Sequence, residues 1–357
     1  MNMKLPEFAV ALAMFSSAAA FAQAAPKLPC ADTDKTCAVN AIRNHPIRKL
    51  DNWSAARAVP VGERMGPASP WLVEYLNLDN LFNGLPERPR AARLDDGFLA
   101  DVRSAIDGLP ADIWRLFSER LLGIYFVENL GSSGYTDFVP GSGNVPPAGY
   151  IVLDAGILRQ QTANAWASWK ENTPFKFQTA YKLEARMETD ANDNRKNAIQ
   201  YILLHELGHV LAIGGRLHPP WSIAPNAVAP GARYPYFDLS WTIDRQADKY
   251  LSLFDSDFPQ RKEVRYYFGA KLAGDQMDAV YANLEKTNFP SLYAATSPGD
   301  DFAEAFASYV HVVLMKRPWQ ITISRYGEVV RDFKSCWPEQ RCAEKRKLME
   351  QLLKRTP

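Results

Sequence analysis

The sequence predicts an α+β fold, a small twisted mixed sheet packed on one buried helix and followed by a mostly helical C-terminal half, and three observations predict it. Two apolar runs, "LLGIYFVENLG" at 121–131 and "GYIVLDAG" at 149–156, have the length and β-branched content of buried strands. Residues 181–188, "YKLEARME", alternate Tyr181, Leu183, Ala185 and Met187 with Lys182, Glu184, Arg186 and Glu188. That is the period of a strand with one wet face, often an edge strand. The third is "AIQYILLHELGHVLAI" at 198–213, apolar at helical spacing, with Asp193 and Asn194 placed to cap its start and Gly214-Gly215 to end it.

The elements between these are read in the same way. The Gly- and Pro-rich "SSGYTDFVPGSGNVPPA" at 132–148 reads as the connection between the two buried strands, and "RQQTANAWASWKEN" at 159–172 as a helix. Residues 25–110, rich in Pro and short polar breaks, read as an N-terminal extension wrapped on a catalytic part spanning 111–330. Residues 331–357 read as a basic, solvated amphipathic helix, with Leu348, Met349 and Leu352 packing and a disulfide at its base.

Before all of this, Lys4, an apolar run from Phe8 to Phe21 and small residues around position 22 form a secretory signal over 1–24, cut after residue 22 or 24. An exported chain meets oxidising conditions, so the two close cysteine pairs, 30/37 and 336/342, are expected as local disulfides. No later stretch has the roughly 18 apolar residues of a membrane span. A net charge of +1 offers nucleic acid no attraction. A periplasmic or secreted protein is the expectation.

The chain has five histidines in 357 residues, and two of them lie four apart inside the oily helix. Unsatisfied imidazole nitrogens there would cost about 1–3 kcal/mol each, a cost that a shared metal ion removes. Side chains four apart project from one helix face, so His205 and His209 can bind one ion, while Glu206 is turned about 100° away. Glu206 is then free to face a water and take its proton. His205-Glu206-Leu207-Gly208-His209 reads as H-E-x-x-H, a Zn²⁺ hydrolase signature. Gly208 serves either close backbone approach or nothing in particular.

Tetrahedral zinc needs another protein ligand. Ala212 and Gly215 exclude the metzincin extension, and His218, beside two prolines, reads as a surface loop residue. His311 lies about 10 Å along its helix from Glu304 and should not reach the same ion. The segment 293–310, "YAATSPGDDFAEAFASYV", is a second helix begun by Ser297-Pro298, with Asp300 and Glu304 four apart on one face. Asp300 fits a capping box with Ser297, whereas Glu304, in the body of an apolar helix, needs a partner.

These residues resemble the lethal-factor-type gluzincins, in which Tyr, then a zinc-binding Glu seven residues on, then a second acid four further, follow H-E-x-x-H. Tyr293, Asp300 and Glu304 stand in that register. The resemblance implies a zincin-like fold and a zinc endopeptidase acting on peptide or protein substrates. In it, Glu206 is the base, Tyr293 an oxyanion donor, Asp300 the third ligand, and Glu304 the acid behind a zinc histidine, with Glu304 on zinc as the alternative. Asp300 departs from the family by one methylene, and the span from His209 to Asp300 implies an insertion within 215–290; loops 215–260 are expected to build the pocket walls that set specificity. The strand at 181–188, just before the zinc helix, is the expected edge for an extended peptide. Two other readings remain at this point: a zinc hydrolase of another bond, and a silent zinc-stabilised binding protein. Loss or retention of peptide cleavage on removing Glu206 separates them.

Overall fold

Why residues 121–154 form a sheet is visible in their burial: nearly every side chain of the two central strands is covered on both faces. A computed structural model describes residues 28–117, 120–142, 146–214, 216–221 and 223–354, so the expected signal segment lies outside the described residues. The N-terminal part runs α1 (Lys35–Asn44), β1 (Met65–Pro67), α2 (Pro70–Asn83), β2 (Arg90–Ala91) and α3 (Asp96–Asp107). Next come β3 (Leu121–Glu128), β4 (Gly134–Val139), β5 (Ala148–Asp154), α4 (Ala163–Asn172), β6 (Tyr181–Arg186) and α5 (Arg195–Ala212). The C-terminal part holds β7 (Trp241–Asp244), β8 (Lys249–Ser252), α6 (Met277–Leu284), α7 (Pro298–Ser308), β9 (Gln320–Arg325), β10 (Glu328–Lys334) and α8 (Ala343–Lys354), with single-turn helices between.

The main sheet is mixed, in the order β1-β3-β5-β4, with β1 and β5 parallel to β3 and β4 antiparallel to β5. β2 also pairs with β3. The N-terminal stretch therefore supplies strands to this sheet, and its Phe98, Val102 and Ala105 join the core around α5. α5 is buried nearly all round, between the sheet, α3, α4 and α7, as a helix apolar on every side must be.

Two expectations are corrected here. The stretch 132–148 is not only a connection, because its Gly134–Val139 segment is a strand. Glycine and proline around it hide a short alternating core of Tyr135, Asp137 and Val139. The strand at 181–186 does form, with Leu183 and Ala185 buried, but it belongs to a separate sheet, β10-β9-β6. The edge of the main sheet beside the histidines is β4.

Both disulfides are formed, Cys30–Cys37 and Cys336–Cys342. Among the described residues no helix is long and apolar enough to cross a membrane. The two disulfides are compatible with an oxidising compartment such as that of a secreted or periplasmic protein. α8 is less solvated than its composition implies: Met349 is buried as expected, but so is Lys345.

Candidate metal centre and cleft

α5 starts at Asn194, whose side chain accepts from the Asn197 amide, and runs beneath the cleft with His205 and His209 on one face. α7 lies across it. The approach is close because position 208 has no side chain: a Cβ there would sit 2.8 Å from the Ala303 Cα. Gly208 is thus required by packing.

The crossing brings together the residues that the sequence singled out. The Nε2 atoms of His205 and His209 lie 3.1 Å apart, and Asp300 Oδ1 stands 3.9 and 3.6 Å from them. Four-coordinate zinc with donors at about 2.0–2.2 Å separates neighbouring donors by roughly 3.3–3.6 Å, and the three spacings here bracket that range, each within a few tenths of an ångström of it. Asp300 divides its oxygens between two tasks. Ser297 Oγ accepts from the Asp300 amide and donates to Oδ2 at 2.7 Å, which is helix capping, while Oδ1 faces the imidazoles. Burial opposes charge on Asp300, yet the two histidines hold its carboxyl below the usual range. His209 is depressed by burial but raised net by Asp300 and Glu206.

Glu304 does not face that triangle. Its Oε1 is 3.0 Å from His205 Nδ1, though the ring N–H is not aligned on it; a carboxylate so placed favours the proton on Nδ1 and the lone pair on Nε2. The same Oε1 accepts from Lys170 at 3.0 Å, and Oε2 accepts from Ser291 and Tyr201 at 2.7 and 3.3 Å. Although burial disfavours its charge, Lys170 and His205 drive this carboxyl well below the ordinary range. Lys170 was not foreseen. It sits on the buried stripe of α4 with Ala163, Trp166 and Ala167, and a cation at that spacing was the signal available in the sequence.

Glu206 turns from the metal face into the cleft, where its Oε2 accepts from Thr136 Oγ1 at 2.7 Å. β4 runs so close that a Cβ on Gly134 would fall 2.3 Å from Glu206 Oε1. Thr136 was also not foreseen, because it lies in the stretch read as a connection. Tyr293 borders the cleft with its ring 5.4 Å from that of His205 and the Lys170 ammonium 4.4 Å from its own centre. Burial and then the Asp300 charge push its phenol well above the ordinary value, so it remains a proton donor at neutral pH.

The cleft, about 400 Å³, has β4 on one side and His218, Pro219, Trp221, Ile223 and Tyr250 on the other. Two expectations meet here. Residues from 218 to 250 do form a wall, but His218 is not a surface residue: it is buried, stacks on Trp221 and accepts from the Trp221 indole. Burial lowers its imidazole to about 4. His311 is remote as expected, its Nε2 bonded to the Met187 and Pro318 carbonyls.

No family model, curated protein or solved structure matches this chain. The fold and the site therefore rest on their own chemistry.

Proposed function

We propose that the chain is an exported zinc-dependent endopeptidase with a zincin-like fold, related in mechanism to the lethal-factor-type gluzincins. The observation that carries the reading is the convergence of His205, His209 and Asp300 on one point, with Glu206 beside it in an open cleft. These three side chains would hold the metal, and zinc bound there supplies Lewis acidity that polarises a carbonyl and acidifies water. The departure from Glu to the shorter Asp300 is supported by the close α5–α7 crossing that Gly208 allows.

The remaining work falls to the chain's own groups. Glu206, held toward the cleft by Thr136, takes the proton of the attacking water and returns it to the leaving amine. Tyr293 gives its O–H to the developing oxyanion, a contribution of about 2.7–4 kcal/mol for one donor. Glu304 orients His205, and Lys170 keeps Glu304 charged while doing so. The free edge of β4 is suited to pair with an extended peptide. Export with removal of the segment before residue 22 or 24 fits the two disulfides.

Zinc titration and peptide-library cleavage test this together. Glu206→Gln should keep one zinc and near-normal melting while losing nearly all turnover, and Asp300→Ala should lose most zinc affinity. A Glu206→Gln protein that cleaves as well as the parent, or an Asp300→Ala protein that binds zinc normally, overturns the assignment. Absence of cleavage by the parent and by Glu206→Gln alike would favour a binding protein that reuses the cleft.

A further inference from the structure

Behind Glu206 the cleft continues into a second, smaller chamber. It shares Gly134, His205, Glu206 and Tyr293 with the cleft and is closed by Ser133, Trp166, Lys170, Ile202, Tyr267 and Glu304. It adjoins the cleft at Glu206 and His205, next to where a bond held at the candidate metal would lie. Its volume is about 30 Å³. One water needs about 10–15 Å³ and a benzene-binding cavity about 150 Å³, so the space suits a methyl or hydroxymethyl group and excludes a ring or a branched chain.

The walls are held in place. The Trp166 indole donates to Ser133 Oγ at 2.9 Å, and Lys170 is tied to Glu304, its side chain only 3% exposed. Widening the floor would therefore break the buried pair that orients His205. Tyr267 is the one residue that lines both this chamber and an outer depression of about 770 Å³ bordered by Trp169, Arg159 and Gly269, which places it between the two spaces. We propose that this chamber receives the substrate side chain on one side of the scissile bond and admits only glycine, alanine or serine there. The proposal rests on the endopeptidase reading and adds the substrate class to it.

The test is cleavage-site mapping by mass spectrometry with the zinc-loaded full-length exported protein and a synthetic peptide library. Wild type should cut only where one flank of the bond is Gly, Ala or Ser, with Leu or Phe in that place at least about 100-fold poorer in kcat/KM than Ala. Tyr267→Ala, which joins the chamber to the outer depression, should bring Leu and Phe to within about tenfold of Ala. Should that variant not fold, Trp166→Phe enlarges the same space and should shift the preference in the same direction. Cleavage by wild type with bulky residues on both flanks overturns this inference alone. No cleavage of any peptide, with wild type and Glu206→Gln alike, overturns the peptidase reading and this one with it.

Discussion

Two acid–lysine pairs are buried along α7, three residues apart, and their chemistry diverges. Glu304 and Lys170 both favour their charged forms: the carboxyl is driven down and the ammonium raised, in spite of complete burial. Asp301 and Lys345, equally buried, go the other way, with burial raising the acid and lowering the lysine to about 8. The number of partners separates them. Glu304 has Lys170, His205, Ser291 and Tyr201, and Lys170 adds the Glu171 carboxylate at 3.9 Å and the Tyr293 ring. Asp301 has Tyr236, Trp241 and a lysine whose other charged neighbour, Arg341, repels it. A buried ion pair stays firmly ionised only when both members have partners in excess. The first pair backs His205 in the candidate metal site, and the second fastens the C-terminal helix to α7.

The largest effect expected from breaking this contrast is at Lys170. Lys170→Met strands the Glu304 charge and should cost about 3–5 kcal/mol in urea unfolding, with zinc affinity falling ~10 to 100-fold by chelator competition because His205 loses its fixed partner. Adding Glu304→Gln to Lys170→Met should recover much of the stability and none of the affinity. A single variant with unchanged zinc affinity would show that Lys170 does not act through Glu304.

His311 sharpens the comparison as a buried ionisable group bonded to carbonyls rather than acids. Burial lowers it to about 4 from an unfolded value near 6.5. Below pH 6.5 the unfolded chain takes up a proton that the folded chain refuses, so stability falls with pH down to about 4 and no further on its account. The full loss is about 3 kcal/mol. His311→Gln should flatten that part of the profile in urea titrations at pH 7, 5.5 and 4. An unchanged slope would assign the acid loss to other groups.

The smallest effect is at Lys345. Since this pair is closer to neutral, Lys345→Met should cost only about 1–3 kcal/mol and leave zinc affinity within twofold. Metal loss equal to that of Lys170→Met would erase the distinction between the two pairs.

The legible parts of the molecule were those written in local spacing. H-E-x-x-H puts His205, Glu206 and His209 on one helix, helical spacing puts Asp300 and Glu304 on one face of a second, and the gluzincin resemblance adds Tyr293; all lie within one site. Lys170, Thr136 and His218 were not legible, because their roles come from pairings between segments far apart in the chain. Lys170 meets Glu304 across 134 residues, and Thr136 meets Glu206 across 70. Lys345 was hidden for a different reason: its neighbours Lys347 and Arg346 make the segment look uniformly wet, and only the helix phase distinguishes the one that points inward.

The two ends of the main sheet carry opposite risks of self-association. At one end β1 is three residues long and finishes in Pro67, which has no amide hydrogen to offer, so a second copy finds little there to pair with. At the other end β4 must keep its outer edge unpaired if a peptide is to add to it, and an unpaired edge does not discriminate between a peptide and another copy's strand. The wall that carries Trp221 and Tyr250 narrows access to that edge. A flexible peptide can thread such an opening, whereas the strand edge of a folded neighbour, backed by its own domain, cannot. On the peptidase reading, the same wall that shapes the cleft would also limit edge-to-edge pairing with another copy.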